Sequence, residues 1–176
     1  MEGQRRVRQA VAQDALRIAE IGAASMRVQY EGLVDPLAVE SAVVQSYSVA
    51  AVASCIELCS RTASAEFLVA EHQSDVVGYL HFDCFGPEPE LHRLYVDASQ
   101  RGGGVGALLM DELHARLEEP HYMLLVLAGN DRAVAFYQRH GLEVERRVDG
   151  LRYYRERMGV AFPNGTKPFE LVLMRR

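Results

Sequence analysis

The sequence predicts an α/β domain. Strand-like and helix-like segments alternate along most of its 176 residues, and a sheet covered by helices is what such alternation specifies. Two local features support this. The run Gln100-Arg101-Gly102-Gly103-Gly104-Val105-Gly106 opens an amphipathic helical pattern. Tyr122 to Leu127 is continuously apolar, as expected of a central strand buried on both faces. The length suffices for one domain with its own core, and a 49% hydrophobic content is ordinary for a globular chain.

Each element has its own signal. Arg6 to Val11 alternates polar and apolar residues and reads as the first strand. Asp14 is placed to cap a helix running through Leu16, Ile18, Ala19 and Ile21. A second helix is expected after Asp35-Pro36, with proline in its first turn. A third covers Val49 to Arg61, although Gln29 to Ser64 is the least decisive stretch. Glu66–Glu71 and Val76–Phe85 form a hairpin turned at Gln73-Ser74-Asp75. After the loop Gly86-Pro87-Glu88-Pro89 comes a strand from Glu90 to Val96. In the glycine-led helix, Val105, Leu108, Leu109, Glu112, Leu113, Arg116 and Leu117 fall at helical spacing, and Pro120 is expected to stop it. Beyond the Tyr122–Leu127 strand, Asn130 or Asp131 caps a helix ending at Gly141. Glu143–Val148 and Phe169–Met174 are the closing strands. The basic and aromatic stretch Arg152–Lys167 between them reads as a loop.

Composition excludes several function classes. A net charge of −5 argues against general affinity for nucleic acid. No long uncharged apolar run offers a membrane span. Met1 to Arg6 is not followed by the apolar stretch of a secretory signal. The three cysteines, Cys55, Cys59 and Cys84, then read as reduced thiols of a cytoplasmic protein. Cys55 and Cys59 lie one helical turn apart, but no histidine pair or second cysteine pair accompanies them. Apolar packing is therefore expected rather than a metal site.

The glycine run carries the chemistry. Bare N–H groups at a helix start hold an anion such as a phosphate. A single glycine often marks only a positive φ, whereas four beside Arg101 point to an anion site. Gly102-x-Gly104-x-x-Ala107 also fits a dinucleotide fingerprint. That motif follows its strand directly and sits early in its domain, whereas here Asp97 to Arg101 intervene and half the chain precedes. A Walker-type loop is excluded because no Lys-Ser or Lys-Thr follows the glycines.

What remains is Arg101-x-x-Gly104-x-Gly106 between a strand and a helix. Leu91-His92-Arg93-Leu94-Tyr95-Val96-Asp97 precedes it, and Asn130-Asp131-Arg132-Ala133-Val134-Ala135-Phe136-Tyr137-Gln138-Arg139-His140-Gly141-Leu142 follows. In these three segments the chain resembles the GNAT superfamily of acetyl-CoA-dependent N-acetyltransferases, from about Val7 to Met174. Leu142 departs from the phenylalanine common there, and keeps its apolar bulk. The resemblance implies a GNAT acyl-CoA N-acyltransferase domain over residues 5–176. Its mixed sheet of about seven strands splays between Glu90–Val96 and Tyr122–Leu127, and about four helices flank it.

The resemblance further implies acetyl-CoA as co-substrate in that splay, and no metal. Arg101, Gly102, Gly103, Gly104, Val105 and Gly106 would wrap the pyrophosphate. Leu94, Tyr95 and Val96 would offer their main chain to the pantetheine, with the Leu94 N–H donating to the thioester carbonyl. Asn130, Ala133 and Phe136 would border the coenzyme, Asn130 serving equally well as a helix cap. Tyr137 matches the general acid that protonates the departing thiolate; a core tyrosine is the plainer alternative. An attacking amine must first lose its proton. Glu90 resembles the catalytic glutamate of histone-type members. His92 shares its strand face and is the second candidate base, while many members use no single base.

The activity implied is transfer of acetyl to a primary amine by direct attack in a ternary complex. The expected partner is a small-molecule amine, without nucleic acid or membrane, and a homodimer is an option. Tyr30-Glu31-Gly32-Leu33 and Gln45-Ser46-Tyr47-Ser48 loosely resemble members acting on polyamines. The acidic Glu31, Asp35, Glu40 and Glu57 favour such a cation, whereas Arg152, Arg155, Arg157 and Lys167 would suit a carboxylate. The alternatives are a non-catalytic acyl-CoA-binding module, or a transferase for a protein or amino-acid amine.

Overall fold

Seven strands form one sheet in the order β1-β2-β3-β4-β5-β7-β6 in the computed structural model, which describes residues 5–117 and 121–176. Strand β1 (Arg6–Gln9) leads to three helices, α1 (Ala15–Tyr30), α2 (Pro36–Tyr47) and α3 (Val49–Ser60). The hairpin β2 (Ala65–His72) and β3 (Asp75–Asp83) follows, then β4 (Glu90–Val96) and α4 (Val105–Arg116). The chain closes with β5 (Met123–Leu127), α5 (Asp131–Arg139), β6 (Glu143–Asp149), α6 (Gly150–Arg157) and β7 (Glu170–Arg175). Pro120, expected to end α4, lies outside the described residues.

Local chemistry sets most boundaries. The Asp35 carboxylate accepts the N–H groups of Leu37 and Ala38, with Pro36 at the first helical position of α2. Ser48 caps α3 in the same way. Asp14 precedes α1 as its sequence position suggested, but its carboxylate does not cap that helix. It turns back to accept the Val11 N–H at 2.8 Å and to pair with Arg8 at 2.7 Å.

Two expectations are corrected. Among the described residues six α-helices flank the sheet rather than about four. The sixth arises because the stretch read as a loop from Arg152 begins as α6, capped by the Asp149 carboxylate on the Arg152 N–H. Leu151 and Tyr154 turn one face of α6 to the core, while Arg152, Arg155 and Glu156 stay exposed. Eight residues dominated by Tyr, Arg and Glu are too few to display a 3.6-residue apolar period.

The sheet separates two cores. On one face α1, α2, α3 and α6 cover Phe67, Val69, Tyr79 and Tyr95. On the other, α4 and α5 cover Leu80, Leu91, Leu94 and Leu124. Leu80, Leu109 and Leu113 are fully buried, each contributing roughly 2 kcal/mol by transfer from water. No single described helix is long and apolar enough to cross a membrane. The bent pair α2–α3 is apolar enough by composition, yet buries Ala38, Ala42 and Val52 in the first core.

Two irregularities position the site. Every neighbouring pair of strands is antiparallel except β4–β5, which is parallel and pairs only at Glu90–Met123 and Leu91–Leu124. In β4 the register against β3 shifts so that Leu91 faces Phe82 and Arg93 faces His81, leaving His92 as the extra residue of a bulge.

Candidate active site

Past Leu91 the β4–β5 ladder ends, and the rest of the β5-facing edge of β4 is unpaired. A cavity of about 590 Å³ occupies this opening. Leu94, Tyr95 and Val96 form its floor, Arg101, Gly102, Gly104, Val105 and Gly106 one wall, and Asn130, Ala133, Phe136 and Tyr137 the opposite wall. All the residues expected to border a coenzyme line it except Gly103. The Gly103 carbonyl instead accepts a hydrogen bond from Arg5, outside the cavity.

The anion end is built from backbone. Gly102 and Gly104 have φ of 81° and 83°, a left-handed conformation that suits glycine and strains other residues. Gly104 is the N-cap of α4 and provides no side-chain cap, so the first-turn N–H groups of this 12-residue helix have no capping partner. Gly106 lets α4 approach α5 closely, since a Cβ there would stand 3.3 Å from the Phe136 ring. Asn130 does two things at once: its carbonyl oxygen accepts the Ala133 N–H at 3.1 Å, and it lines the cavity.

Three exposed arginines on the cavity wall, Arg101, Arg132 and Arg139, have no ion-pair partner among the described residues. Arg132 and Arg139 are absent from the sequence-based set. Their seven-residue spacing, two helical turns, places both on one face of α5 and was the available signal. Ser25, Val28 and Gln29 of α1 also line the cavity. They were not foreseen because nothing in a helix sequence reveals which strand gap its surface will cover.

Tyr137 sits at the inner wall. Its ring packs edge-on against Phe136 at 5.1 Å between centroids. Burial pushes its phenol well above the ordinary value, so it keeps its proton at neutral pH.

Glu90 and His92 do not line this cavity. They lie on the α3 and α6 face of the sheet within an ionic cluster. His92 stands between two carboxylates, with Nε2 3.0 Å from Asp83 and Nδ1 3.4 Å from Glu90. Burial acts to lower the His92 pKa, but Asp83 and Glu90 outweigh it and raise it to about 9. His92 is thus an imidazolium at neutral pH. Glu90 is 3% exposed. Burial acts to raise its pKa, yet His92, the Tyr153 hydroxyl and Arg157 hold it below the usual carboxylate range. Tyr153 donates a hydrogen bond to Glu90 Oε1, and Arg157 lies 3.5 Å from Oε2. Tyr153 and Arg157 come from α6, the helix that the sequence concealed.

Beside the cluster, Cys55 Sγ lies 3.8 Å from His81 Nε2, while Cys59 is buried in the first core. Among the described residues no group of three or more His, Cys, Asp or Glu side chains is arranged to hold a metal ion. The arrangement can hold a polyanion at the α4 end and an extended chain along the open edge of β4. It also offers a protonated phenol on one side of β4 and an ionised carboxylate on the other.

Residues 63–144 match the family model for the acetyltransferase (GNAT) domain. No curated protein sequence matches the chain. Among solved structures, the PaiA N-acetyltransferase of Thermoplasma acidophilum in complex with coenzyme A superposes with a TM-score of 0.77. The two are 20% identical over 98% of this chain and 99% of that one. The ribosomal-protein-alanine N-acetyltransferase of Brucella melitensis gives a TM-score of 0.68 at 22% identity, over 97% and 98% of the two chains. An N-acetyltransferase of Staphylococcus aureus gives 0.68 at 17% identity, over 98% of both. At these identities the structural likeness establishes the fold.

Proposed function

We propose that this chain is an acetyl-CoA-dependent acetyltransferase of the GNAT superfamily, because residues 63–144 match the model of that domain and the whole chain shares its fold with N-acetyltransferases, and that residues 5–176 form one domain that acetylates the primary amine of a small molecule by direct attack in a ternary complex. The observation that carries the reading is the two-pair β4–β5 ladder, with a cavity in the opening beyond it. A polyanion cradle stands at one end of that cavity and a protonated tyrosine at its inner wall.

The residues present suit acetyl-CoA. The uncapped N-terminus of α4, with Gly102 and Gly104, suits the pyrophosphate, and Arg101, Arg132 and Arg139 suit the remaining phosphate charge at the mouth. The unpaired edge of β4 from Leu94 to Val96 suits the amide-bearing pantetheine arm, which can add to a sheet as an extra strand. When bound, the co-substrate supplies the acetyl group as a reactive thioester.

The chain's own groups then divide the work. The Leu94 N–H donates to the thioester oxygen where negative charge develops. Glu90 accepts the ammonium proton, directly or through water, because it is ionised while His92 beside it already carries a proton. His92 and Tyr153 fix the carboxylate in place. Tyr137 donates its phenolic proton to the leaving sulfur.

The cheapest test is ligand-dependent stability. Acetyl-CoA or CoA at about 100 times its Kd should add about 2.7 kcal/mol, a rise in Tm of roughly 5–10 °C for a domain of this size, while NAD should add nothing. CoA release with a panel of amines then separates a transferase from a binding module. Stabilisation without turnover of any amine would favour the module, and no stabilisation would remove the coenzyme assignment.

A further inference from the structure

The strand that carries Glu90 and His92 holds one more charge, and that charge has no carboxylate partner among the described residues. Arg93 is half-buried, yet among the described residues its guanidinium makes no ion pair and no hydrogen bond. Its Cζ lies 4.9 Å above the Tyr47 ring. Other arginines that reach inward find partners: Arg8 meets Asp14, Arg17 meets Asp97, Arg116 meets Glu66, Arg157 meets Glu90, and Arg176 meets His114 and the His140 carbonyl. A guanidinium stays charged at any working pH, and leaving it half-desolvated without an anion is costly.

The place of this charge is set by the bulge. With His92 as the extra residue, Arg93 turns to the same side of the sheet as Glu90 and His92, while Leu94 next to it faces the other way. Its nearest ionisable neighbours are the phenols of Tyr47, Tyr79 and Tyr95 and the thiol of Cys55. The phenols are hydrogen-bond donors, and the Tyr79 hydroxyl is buried with no partner. Within the cluster, Asp83 and Glu90 are engaged by His92 and Arg157, so neither carboxylate is left for Arg93. The acidic residues that favoured a cationic acceptor are mostly engaged elsewhere. Asp35 caps α2, Glu40 pairs with Arg27 at 2.6 Å, and Glu57 lies 3.7 Å from Arg61.

We propose that Arg93 selects the acceptor through a carboxylate, so that the substrate is a primary amine carrying a carboxylate a few bonds from its nitrogen, amino-acid-like rather than a polyamine. The inference rests on the acetyl-transfer reading and narrows its acceptor. The planar guanidinium fork matches the two oxygens of a carboxylate. Arg93 precedes Leu94 on β4 and lies on the sheet face of Glu90 and His92, so a carboxylate on its guanidinium would set the acceptor beside the strand that carries both the thioester-facing N–H and the carboxylate. The Cys55 thiol is drawn below its ordinary value, first by Cys59 and then by His81 and Arg93, and no hydrogen bond joins it to Arg93.

Matched acceptors decide the question. Alanine is compared with ethylamine, 4-aminobutyrate with propylamine, and phenylalanine with phenethylamine, alongside spermidine, with CoA release as the readout. At least one carboxylate-bearing member should exceed its partner in kcat/KM by about tenfold or more, the range of a charge-assisted hydrogen bond. Arg93→Gln should raise KM for that acceptor by about tenfold to a hundredfold. It should leave kcat, acetyl-CoA affinity by calorimetry and the decarboxylated partner within about twofold. Arg93→Lys should fall between, since it keeps the charge and loses the fork. Cys55→Ser should keep the preference.

Equal turnover of both members of every pair, or faster turnover of spermidine, overturns the role of Arg93 and leaves the transfer reading standing. A preference that survives Arg93→Gln, or disappears in Cys55→Ser, also overturns it. No turnover of any amine by a protein that binds acetyl-CoA overturns the transfer reading, and this inference with it.

Discussion

At the scale of single residues, the site rests on protonation states imposed by neighbours. Tyr137 keeps its proton because burial penalises the phenolate. Tyr137→Phe should therefore lower kcat by roughly tenfold to a thousandfold, as expected for loss of a general acid, with little change in acetyl-CoA affinity by calorimetry. Unchanged activity would make the residue a packing element. Glu90→Gln should cut kcat/KM most near neutral pH. The deficit should shrink as pH nears the acceptor's own pKa, where free amine no longer depends on a base. A deficit constant with pH would point to positioning instead. His92 offers a direct spectroscopic check: its ring proton resonances should titrate near pH 9, and Asp83→Asn should move that midpoint down. Sequence parity placed Glu90 and His92 on one face. It could not show that Asp83, arriving from β3, turns the histidine from a candidate base into a standing cation.

At the scale of elements, most of the architecture was legible because its signals are local. The Asp35-Pro36 cap, the uniformly apolar β5 and the strand limits of β4 follow from residue type and period. The cavity wall of Arg101, Gly102, Gly104, Val105 and Gly106 was legible for the same reason, since glycines before a helix advertise bare N–H groups. Elements without a local signal were missed. Helix α6 is short and polar, and the contributions of α1 to the cavity depend on which gap it covers. The bulge at His92 shows no signature in Leu91-His92-Arg93-Leu94, because it is a relation between β4 and β3 rather than a property of either strand. The α4 element carries its own prediction. Gly104→Glu should abolish acetyl-CoA binding in calorimetry by bulk and like charge. Gly104→Ala should cost about 1–2 kcal/mol of stability from its left-handed backbone, because no neighbour lies within 4 Å of the added carbon. Retained affinity in a folded Gly104→Glu variant would refute the phosphate cradle.

At the scale of the whole molecule, the Asp83–His92–Glu90 cluster gives stability a defined pH dependence. His92 has a raised folded pKa, so its contribution is complete below the ordinary histidine value of about 6.5. That contribution is lost as pH rises through about 9. Asp83 and Glu90 have depressed folded values, so their contributions are complete above the ordinary carboxylate range and fade as pH falls through those lower values. Stability from the cluster should thus be flat from about pH 5 to about 6.5 and decline on both sides. The Tm difference between the native protein and His92→Gln, followed against pH, should narrow as pH approaches and passes 9; a difference that persists unchanged would mean His92 contributes by packing alone.

The two-rung junction of β4 and β5 has a further consequence, for how the chain can be divided. Strands β1 to β4 and strands β5 to β7 are each contiguous in sequence, and among the described residues only the Glu90–Met123 and Leu91–Leu124 pairs join the two sets as a ladder. Side chains supply the rest of the adhesion, because each core draws residues from both sides: Leu127 and Leu171 in one, Leu124 and Val172 in the other. A nick between α4 and β5 therefore severs no ladder. The two pieces, produced together, should recombine into one particle, and acetyl-CoA, bound along the junction as proposed, should tighten their association. The chain would then serve as a split reporter whose reassembly registers the proposed co-substrate.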